Sequence, residues 1–487
     1  MLTYSFENIA SESMYEHLYR CIKQDILQKK LRAGEKLPSK RSFAKNLGVS
    51  TITVESAYAQ LVAEGFLYTL PKRGYYVCEL EQEAPVPAPA PPAPPKRSEG
   101  KAPEQRTYWA DFVGSSVARD MFPFSVWVKL LRDVTASEDE ATLLTDTSAG
   151  GIRQLRQAIA DHLYQFRGMT ISPEQIVVGA GTEYLYGVLI QLLGRHRGYA
   201  VEDPGYQRLS KIYEKNDVAI HHIPMDQGGV IPEKLEESGA EILHITPSHH
   251  FPTGIVMPVS RRYELLSWAS KGENRYIIED DYDCEFRLAG RPIPTLQSID
   301  VMEKVIYINT FSKSLAPAFR ISYLVLPRHL VTRFYETLGF YSGTVSCLEQ
   351  MTLARFLAQG YFEKHINRMR NHYRALRDKL LAALRQSPLA GKVSGEQAGL
   401  HFLMALDTPR SEEAILQAAE GLDLRISFVS QYYFSAPNRL PHVLVMNYSG
   451  LEEGKVAEAV ARLCQAGLGE PEAAAEPPAT QGRGDHT

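Results

Sequence analysis

The run Ala84-Pro85-Val86-Pro87-Ala88-Pro89-Ala90-Pro91-Pro92-Ala93-Pro94-Pro95 constrains this chain of 487 residues more than any other stretch. Proline has no backbone N–H and fixes φ, so the run excludes helix and central strand and favours an extended, semi-rigid spacer. The chain therefore cannot fold around one continuous core. It divides into a small unit over 10–80, a Pro/Ala-rich linker over 81–107 and a large unit over 108–468. The end, 469–487, is rich in Ala, Pro, Glu and Gly and predicts a disordered tail.

In the small unit, Leu18, Ile22, Ile26 and Leu27 recur at helical spacing over 14–28. Ser39 can cap a short helix through Leu47, Gly48 breaks it, and Ser50 can cap a second helix over 51–64. Two short apolar runs then flank the turn Pro71-Lys72-Arg73-Gly74, as in a hairpin. Helix, helix-turn-helix and hairpin make a winged helix-turn-helix, an α+β domain that binds double-stranded DNA. The net charge of the chain is −4, so any affinity for nucleic acid must be local. Ser50, Thr51 and Thr53 stand at the start of the second helix, where free N–H groups suit phosphates and base edges. Arg41 can reach a guanine edge or a phosphate. Lys72 and Arg73, beside Gly74, suit a wing tip in a minor groove. Taken singly, Ser50 is a good cap in any protein, and Arg41 or Lys72 is a solvated surface charge.

The large unit alternates helical patterns with short apolar runs, among them Ile176-Val177-Val178, Ile242-Leu243-His244-Ile245, Tyr276-Ile277-Ile278 and Val305-Ile306-Tyr307-Ile308. That alternation predicts an α/β domain with a mainly parallel sheet. From about Leu330 the pattern reads as mostly helical, closing with a strand at Val443–Met446 and a helix over 452–466. The five cysteines are scattered and read as free thiols in a reducing cytoplasm. The opening residues lack a cationic start followed by an apolar run, so no secretory leader or membrane span is expected. No His/Cys/Asp/Glu spacing suggests a metal site.

One stretch of the large unit carries distinct chemistry: Asn309-Thr310-Phe311-Ser312-Lys313-Ser314-Leu315, with Arg320 beyond it. A lysine amine condenses with an aldehyde, while neighbouring hydroxyls and an arginine fork hold a phosphate. Those are the requirements for carrying pyridoxal 5'-phosphate as a Schiff base on Lys313, with Thr310, Ser312 and Arg320 on the phosphate. A carboxylate at the end of a buried strand can pair with the protonated pyridine nitrogen. In Glu279-Asp280-Asp281-Tyr282, alternation puts Asp280 and Tyr282 on one face, which favours Asp280 for the nitrogen and Tyr282 for the phenolic oxygen. A shift of one residue would favour Glu279 or Asp281.

Several motifs resemble known families in order. Leu37-Pro38-Ser39-Lys40-Arg41, Leu47-Gly48-Val49-Ser50-Thr51 and Glu64-Gly65-Phe66-Leu67 resemble the GntR-type winged helix, although Thr51 and Glu55 fall where many relatives carry arginine. From about Asp111 the chain resembles the fold-type I aminotransferases. The whole resembles the MocR/GabR subfamily of GntR regulators. The resemblance implies that Gly181 and Thr182, in Val178-Gly179-Ala180-Gly181-Thr182, hold the cofactor phosphate through backbone N–H groups. It puts Tyr206 against the pyridine ring and Arg208 in an effector pocket. It also exposes departures. Phe251 stands where transaminases have asparagine, with His249 and His250 as candidate replacement donors. The arginine that clamps a substrate carboxylate is replaced near Val445, with Arg425 and Arg439 as possible neighbours. The expectation is a dimeric cytoplasmic regulator that senses an amine, an amino acid or the cofactor itself, and presents two winged helices to two half-sites. The alternative is an active aminotransferase carrying a DNA-binding domain.

Overall fold

The computed structural model describes residues 2–4, 6, 13–79, 106–114, 121–288, 293–389, 391–397, 399–435 and 440–468. The proline-rich run, the 469–487 tail and Arg439 lie outside the described residues. The chain separates into two compact units, Met1–Gln105 and Arg106–Thr487.

In the first unit, helices α1 (Met14–Leu27), α2 (Lys40–Leu47) and α3 (Thr51–Ala63) precede strands β1 (Leu67–Leu70) and β2 (Gly74–Val77). Ser39 and Ser50 cap their helices by accepting from Ser42 N at 3.2 Å and Thr53 N at 3.0 Å. Gly48 ends α2 in the left-handed region at φ 67°, which a side chain would strain. The strands pair antiparallel, Leu67 opposite Val77. Leu18, Ile22, Phe43, Val54, Tyr58, Leu61, Leu67 and Val77 meet in one core. Each such side chain contributes about 1.5–3 kcal/mol on burial.

The second unit is built on a sheet of eight strands among the described residues: β3 (Ile176–Ala180), β4 (Gly198–Asp203), β5 (Ala219–Asp226), β6 (Gly229–Val230), β7 (Ile242–Ile245), β8 (Tyr276–Asp280), β9 (Val305–Thr310) and β10 (Ile321–Val325). Their order is β3-β10-β9-β8-β7-β4-β5-β6. Only β10 and β6 run against their neighbours. Strands β7, β8, β9 and β10 are buried throughout, which is why they read as continuous apolar runs. Register brings Asp280 beside Ile308, Thr310 beside Ser322 and Ala180 beside Ile321. The carboxyl ends of β3, β8 and β9 thereby share one edge, where ligands of open α/β sheets bind. Helices α4 (Thr182–Leu193) and α5 (Gln207–Lys215) leave the ends of β3 and β4 at that edge.

The C-terminal part corrects the helical expectation. It holds the long helix Tyr361–Gln386, but also an antiparallel sheet of β11 (Lys392–Ser394), β12 (His401–Ala405) and β13 (Val443–Asn447). The closing helix runs Val456–Leu468, after a short 3-10 turn. Among the described residues, no helix is long and apolar enough to cross a membrane.

Candidate cofactor site and nucleic-acid interface

Lys313 lies in a tight turn directly after β9. Phe311 N donates to Ile321 O at 2.9 Å and Leu315 N to Phe311 O at 2.8 Å, while both side chains are sunk in the core. His365 Nε2 lies 2.7 Å from Ser314 O and braces the turn from the long helix. Burial holds the half-buried Lys313 amine below the usual lysine range, with Asp283 opposing that shift. A lysine biased toward its neutral form is the reactive one.

Asp280 closes β8 and is buried. Tyr186 of α4 donates to Asp280 Oδ2 at 2.5 Å, and His244 Nε2 of β7 lies 3.6 Å from the same oxygen. Asp280 Oδ1 is buried with no hydrogen-bond partner among the described residues. Glu279 and Asp281 are committed elsewhere. Glu279 accepts from Leu296 N and Gln297 N at 2.9 Å and faces Arg262 at 3.4 Å. Asp281 accepts from Arg167 at 2.7 Å and Tyr307 at 2.8 Å. Asp281 Oδ1 is likewise buried with no hydrogen-bond partner among the described residues, but Asp281 is paired through its other oxygen with Arg167, whereas Asp280 has no arginine or lysine partner among them. Tyr282 donates to His249 O at 3.1 Å. His249 Nδ1 lies 2.8 Å from Asp283, and its ring sits 4.3 Å from that of His401.

Thr310, Ser312 and Ser322 form one hydroxyl cluster: Thr310 Oγ1 donates to Ser312 Oγ at 3.0 Å and accepts from Ser322 Oγ at 2.8 Å. Gly181, at φ 90°, lets the backbone lie against the Arg320 guanidinium, and a Cβ there would collide with it. Thr182 opens α4 beside it. Glu183 accepts from Arg320 at 3.0 Å and from Arg208 at 2.9 Å, tying the expected phosphate and effector arginines to one exposed carboxylate. An orphaned carboxylate oxygen, a cradle that a Cβ would fill and a lysine with a lowered pKa fit a phosphorylated aldehyde of the pyridoxal kind.

Tyr206 is partly exposed at the start of α5, its ring 6.1 Å edge-on to Phe251. Phe251 also meets Tyr432 at 5.0 Å and His401 at 5.4 Å. It packs on a cluster of Leu403, Val429 and Val445. Arg425 is exposed and faces Asp111 at 3.3 Å. His250 is buried, with Nδ1 2.7 Å from Thr253 Oγ1 and Nε2 3.4 Å from Glu202. Burial pushes Glu202 up to about 8 and His250 down to about 3, so both are neutral near pH 7. The partners Tyr186, Tyr213, Glu183 and His244 escaped the sequence reading. Only His244, a lone polar residue inside an apolar strand, carried a signal.

In the first unit Arg41, Ser50, Thr51, Lys72 and Arg73 are exposed, with Thr53 and Gly74 half-buried beside them. The Ser50 hydroxyl is committed to capping Thr53 N and also touches Thr53 Oγ1 at 2.8 Å. Lys72 takes a left-handed φ of 62° at the hairpin tip. Glu55 pairs with Lys40 and so neutralises one cation of α2.

A family model described as aminotransferase class I and II matches residues 116–463, and one for bacterial regulatory proteins of the gntR family matches residues 14–77. YdeL of Bacillus subtilis (strain 168), an uncharacterized HTH-type transcriptional regulator, is 37% identical over 451 residues, 92% of this chain and 96% of its own. The probable rhizopine catabolism regulatory protein MocR of Rhizobium meliloti is 30% identical over 471 residues, 94% of each chain. Among solved structures, kynurenine aminotransferase of Pyrococcus horikoshii matches with a TM-score of 0.64 at 24% identity, over 74% of this chain and 91% of its own, a likeness of fold. With a gntR domain followed by an aminotransferase class I and II domain in one chain, and full-length regulators among its relatives, the chain belongs to the MocR/GabR subfamily of GntR-type transcription regulators.

Proposed function

We propose that the aminotransferase-like unit of this DNA-binding regulator holds pyridoxal 5'-phosphate on Lys313 and senses an amine, an amino acid or the cofactor itself. The observation that carries the reading is the buried Asp280 with one unpartnered oxygen, at the same sheet edge as Lys313 and the Thr310–Ser312 hydroxyls. Pyridoxal phosphate supplies an electrophilic carbon for amines and a ring that draws electrons when its nitrogen is protonated. Asp280 would pair with that nitrogen, and Tyr282, whose hydroxyl now donates to His249 O, would be the donor for the phenolic oxygen. Thr310, Ser312, Arg320 and the N–H groups of Gly181 and Thr182 take the phosphate. Tyr206 would cover the ring, and Arg208, now paired with Glu183, would meet an anionic group of the effector. With such a group bound, an effector that released the Lys313 amine would change charge and packing at the core of the unit, which would bias DNA binding if the two states bind DNA differently. A homodimer brings two winged helices to two half-sites, contacted through Arg41, Ser50, Thr51, Thr53, Lys72, Arg73 and Gly74.

Gel shifts on DNA upstream of the chain's own gene, with and without cofactor and candidate amines, test the reading. A specific shift that changes with either ligand supports it, and no specific shift under any condition contradicts it. A coupled keto-acid assay separates sensing from the alternative of an active aminotransferase. Phe251 and Val445, apolar where transaminases carry polar groups, favour sensing.

A further inference from the structure

We propose that Ile52 is a specificity-determining residue that reads the C5-methyl group of a thymine in the major groove. The inference rests on the DNA-binding reading above and adds to its contacts a side chain whose chemistry distinguishes bases. In a helix-turn-helix the second helix lies in the major groove, with its N-terminal residues against the base edges. Here that helix is α3, which buries Val54, Ala57, Tyr58 and Leu61 in the core of its unit. The opposite face presents Thr51, Ile52, Glu55 and Ala59, all exposed. Ile52 is 74% exposed, the most exposed large apolar side chain among the described residues of that unit. Single exposed apolar side chains are ordinary on protein surfaces. Ile52 differs in its place, in the first turn of the helix that a helix-turn-helix turns toward the bases.

The chemistry of this face leaves few ways to read a base. Helix α3, Thr51–Ala63, contains no lysine and no arginine. A cation held bidentate on guanine O6 and N7, the commonest specific contact, is therefore not available from this helix. The Ser50 hydroxyl caps Thr53 N at 3.0 Å and lies 2.8 Å from Thr53 Oγ1, so the hydroxyls on either side of Ile52 serve each other. Glu55, one turn on from Ile52, pairs with Lys40 of α2. What the first turn offers is an exposed, branched apolar side chain with Thr51 beside it. Among the bases only thymine shows an apolar group to the major groove, its C5-methyl. Exposed Arg41, Lys72 and Arg73 bring positive charge for phosphates from α2 and the hairpin, so affinity and this base contact fall on different elements.

The full-length chain selects duplexes from a randomised DNA pool, and each thymine of the enriched site is then replaced singly by deoxyuridine, which lacks only the methyl group. Wild type loses about fourfold in affinity at one such thymine, the change that burying one methyl-sized group corresponds to. Ile52→Ala binds the thymine duplex more weakly and no longer distinguishes thymine from deoxyuridine there, without a lowered melting temperature. Ile52→Val, which keeps a branched apolar contact, retains most of the discrimination. Thr51→Ser, which removes the neighbouring methyl but keeps the hydroxyl, leaves it in place. Discrimination that survives in Ile52→Ala, or that is lost in Thr51→Ser alone, overturns the proposal, as does an enriched site in which no thymine methyl matters. If Ile52→Ala alters self-association and leaves the thymine preference intact, Ile52 meets protein and the proposal fails. A pool in which no site is enriched defeats sequence-specific DNA reading by this chain and the thymine contact with it.

Discussion

Phe251 packs against the apolar cluster that contains Val445, so two positions far apart in sequence build one greasy surface beside the sheet edge. Val445 is 1% exposed. Val445→Arg therefore buries a charge with no acidic partner in that cluster and lowers the melting temperature, by the equivalent of about 3 kcal/mol or more. Phe251→Asn loses half-buried aromatic contact and costs about 1–2 kcal/mol. The pair does not create a transaminase, and calorimetry with a keto-acid assay checks both halves of that expectation.

Asp280→Asn keeps the shape of the side chain and its contact with Tyr186 but removes the charge. A hydrogen bond to a charged group contributes about 1.5–3 kcal/mol, so cofactor affinity falls about 10–100-fold, measured by fluorescence titration. Asp281→Asn instead leaves Arg167 buried beside a neutral group and shows chiefly in stability.

Glu202 and His250 give opposite pH dependences. Glu202, raised from 4.5 to about 8 by burial, binds its proton more tightly when folded. Its contribution to stability is full below about pH 4.5 and is lost as pH rises to about 8. His250, lowered from 6.5 to about 3 by burial, contributes fully above about pH 6.5, and that contribution is lost as pH falls to about 3. The two slopes cancel between about pH 4.5 and 6.5, and Glu202 alone acts from about 6.5 to 8. Glu202→Gln keeps an acceptor for Thr246 and flattens the fall over that upper window. Denaturant melts of the variant and wild type across pH measure the difference.

Lys72→Ala and Arg73→Ala weaken DNA binding about equally for all sequences, each lowering the salt slope by about one. Arg41→Ala changes sequence preference if it reads a guanine edge and only the salt slope if it holds a phosphate. Ser50→Ala loses the cap and costs the winged helix about 1 kcal/mol of stability. Fluorescence anisotropy at several salt concentrations, with thermal melts of the same proteins, separates contact from capping.

Much of this architecture was legible in the chain. Strands β7 to β9 are buried on both faces and so read as apolar runs, and the winged helix announces its caps through Ser39, Ser50 and Gly48. Strand β5 was missed because Ala219-Ile220-His221-His222-Ile223-Pro224 is half-exposed, polar and interrupted by proline. Strand β12, His401-Phe402-Leu403-Met404-Ala405, lacks the β-branched residues that distinguish a short strand from a helix. At the site, residues whose chemistry is local, such as Lys313, Thr310 and Ser312, could be named from one stretch. Tyr186, Tyr213 and Glu183 could not. Each becomes a partner only when the sheet brings it to Asp280, His244 or Arg320.

The central claim is that Lys313 carries the cofactor. Borohydride reduction of the cofactor-treated full-length chain, followed by peptide mass spectrometry, tests it most directly. The account predicts a pyridoxyl phosphate adduct on the peptide containing Lys313, absent from Lys313→Ala, whose visible band is also lost. An unmodified Lys313 peptide, or a band that persists in Lys313→Ala, contradicts it.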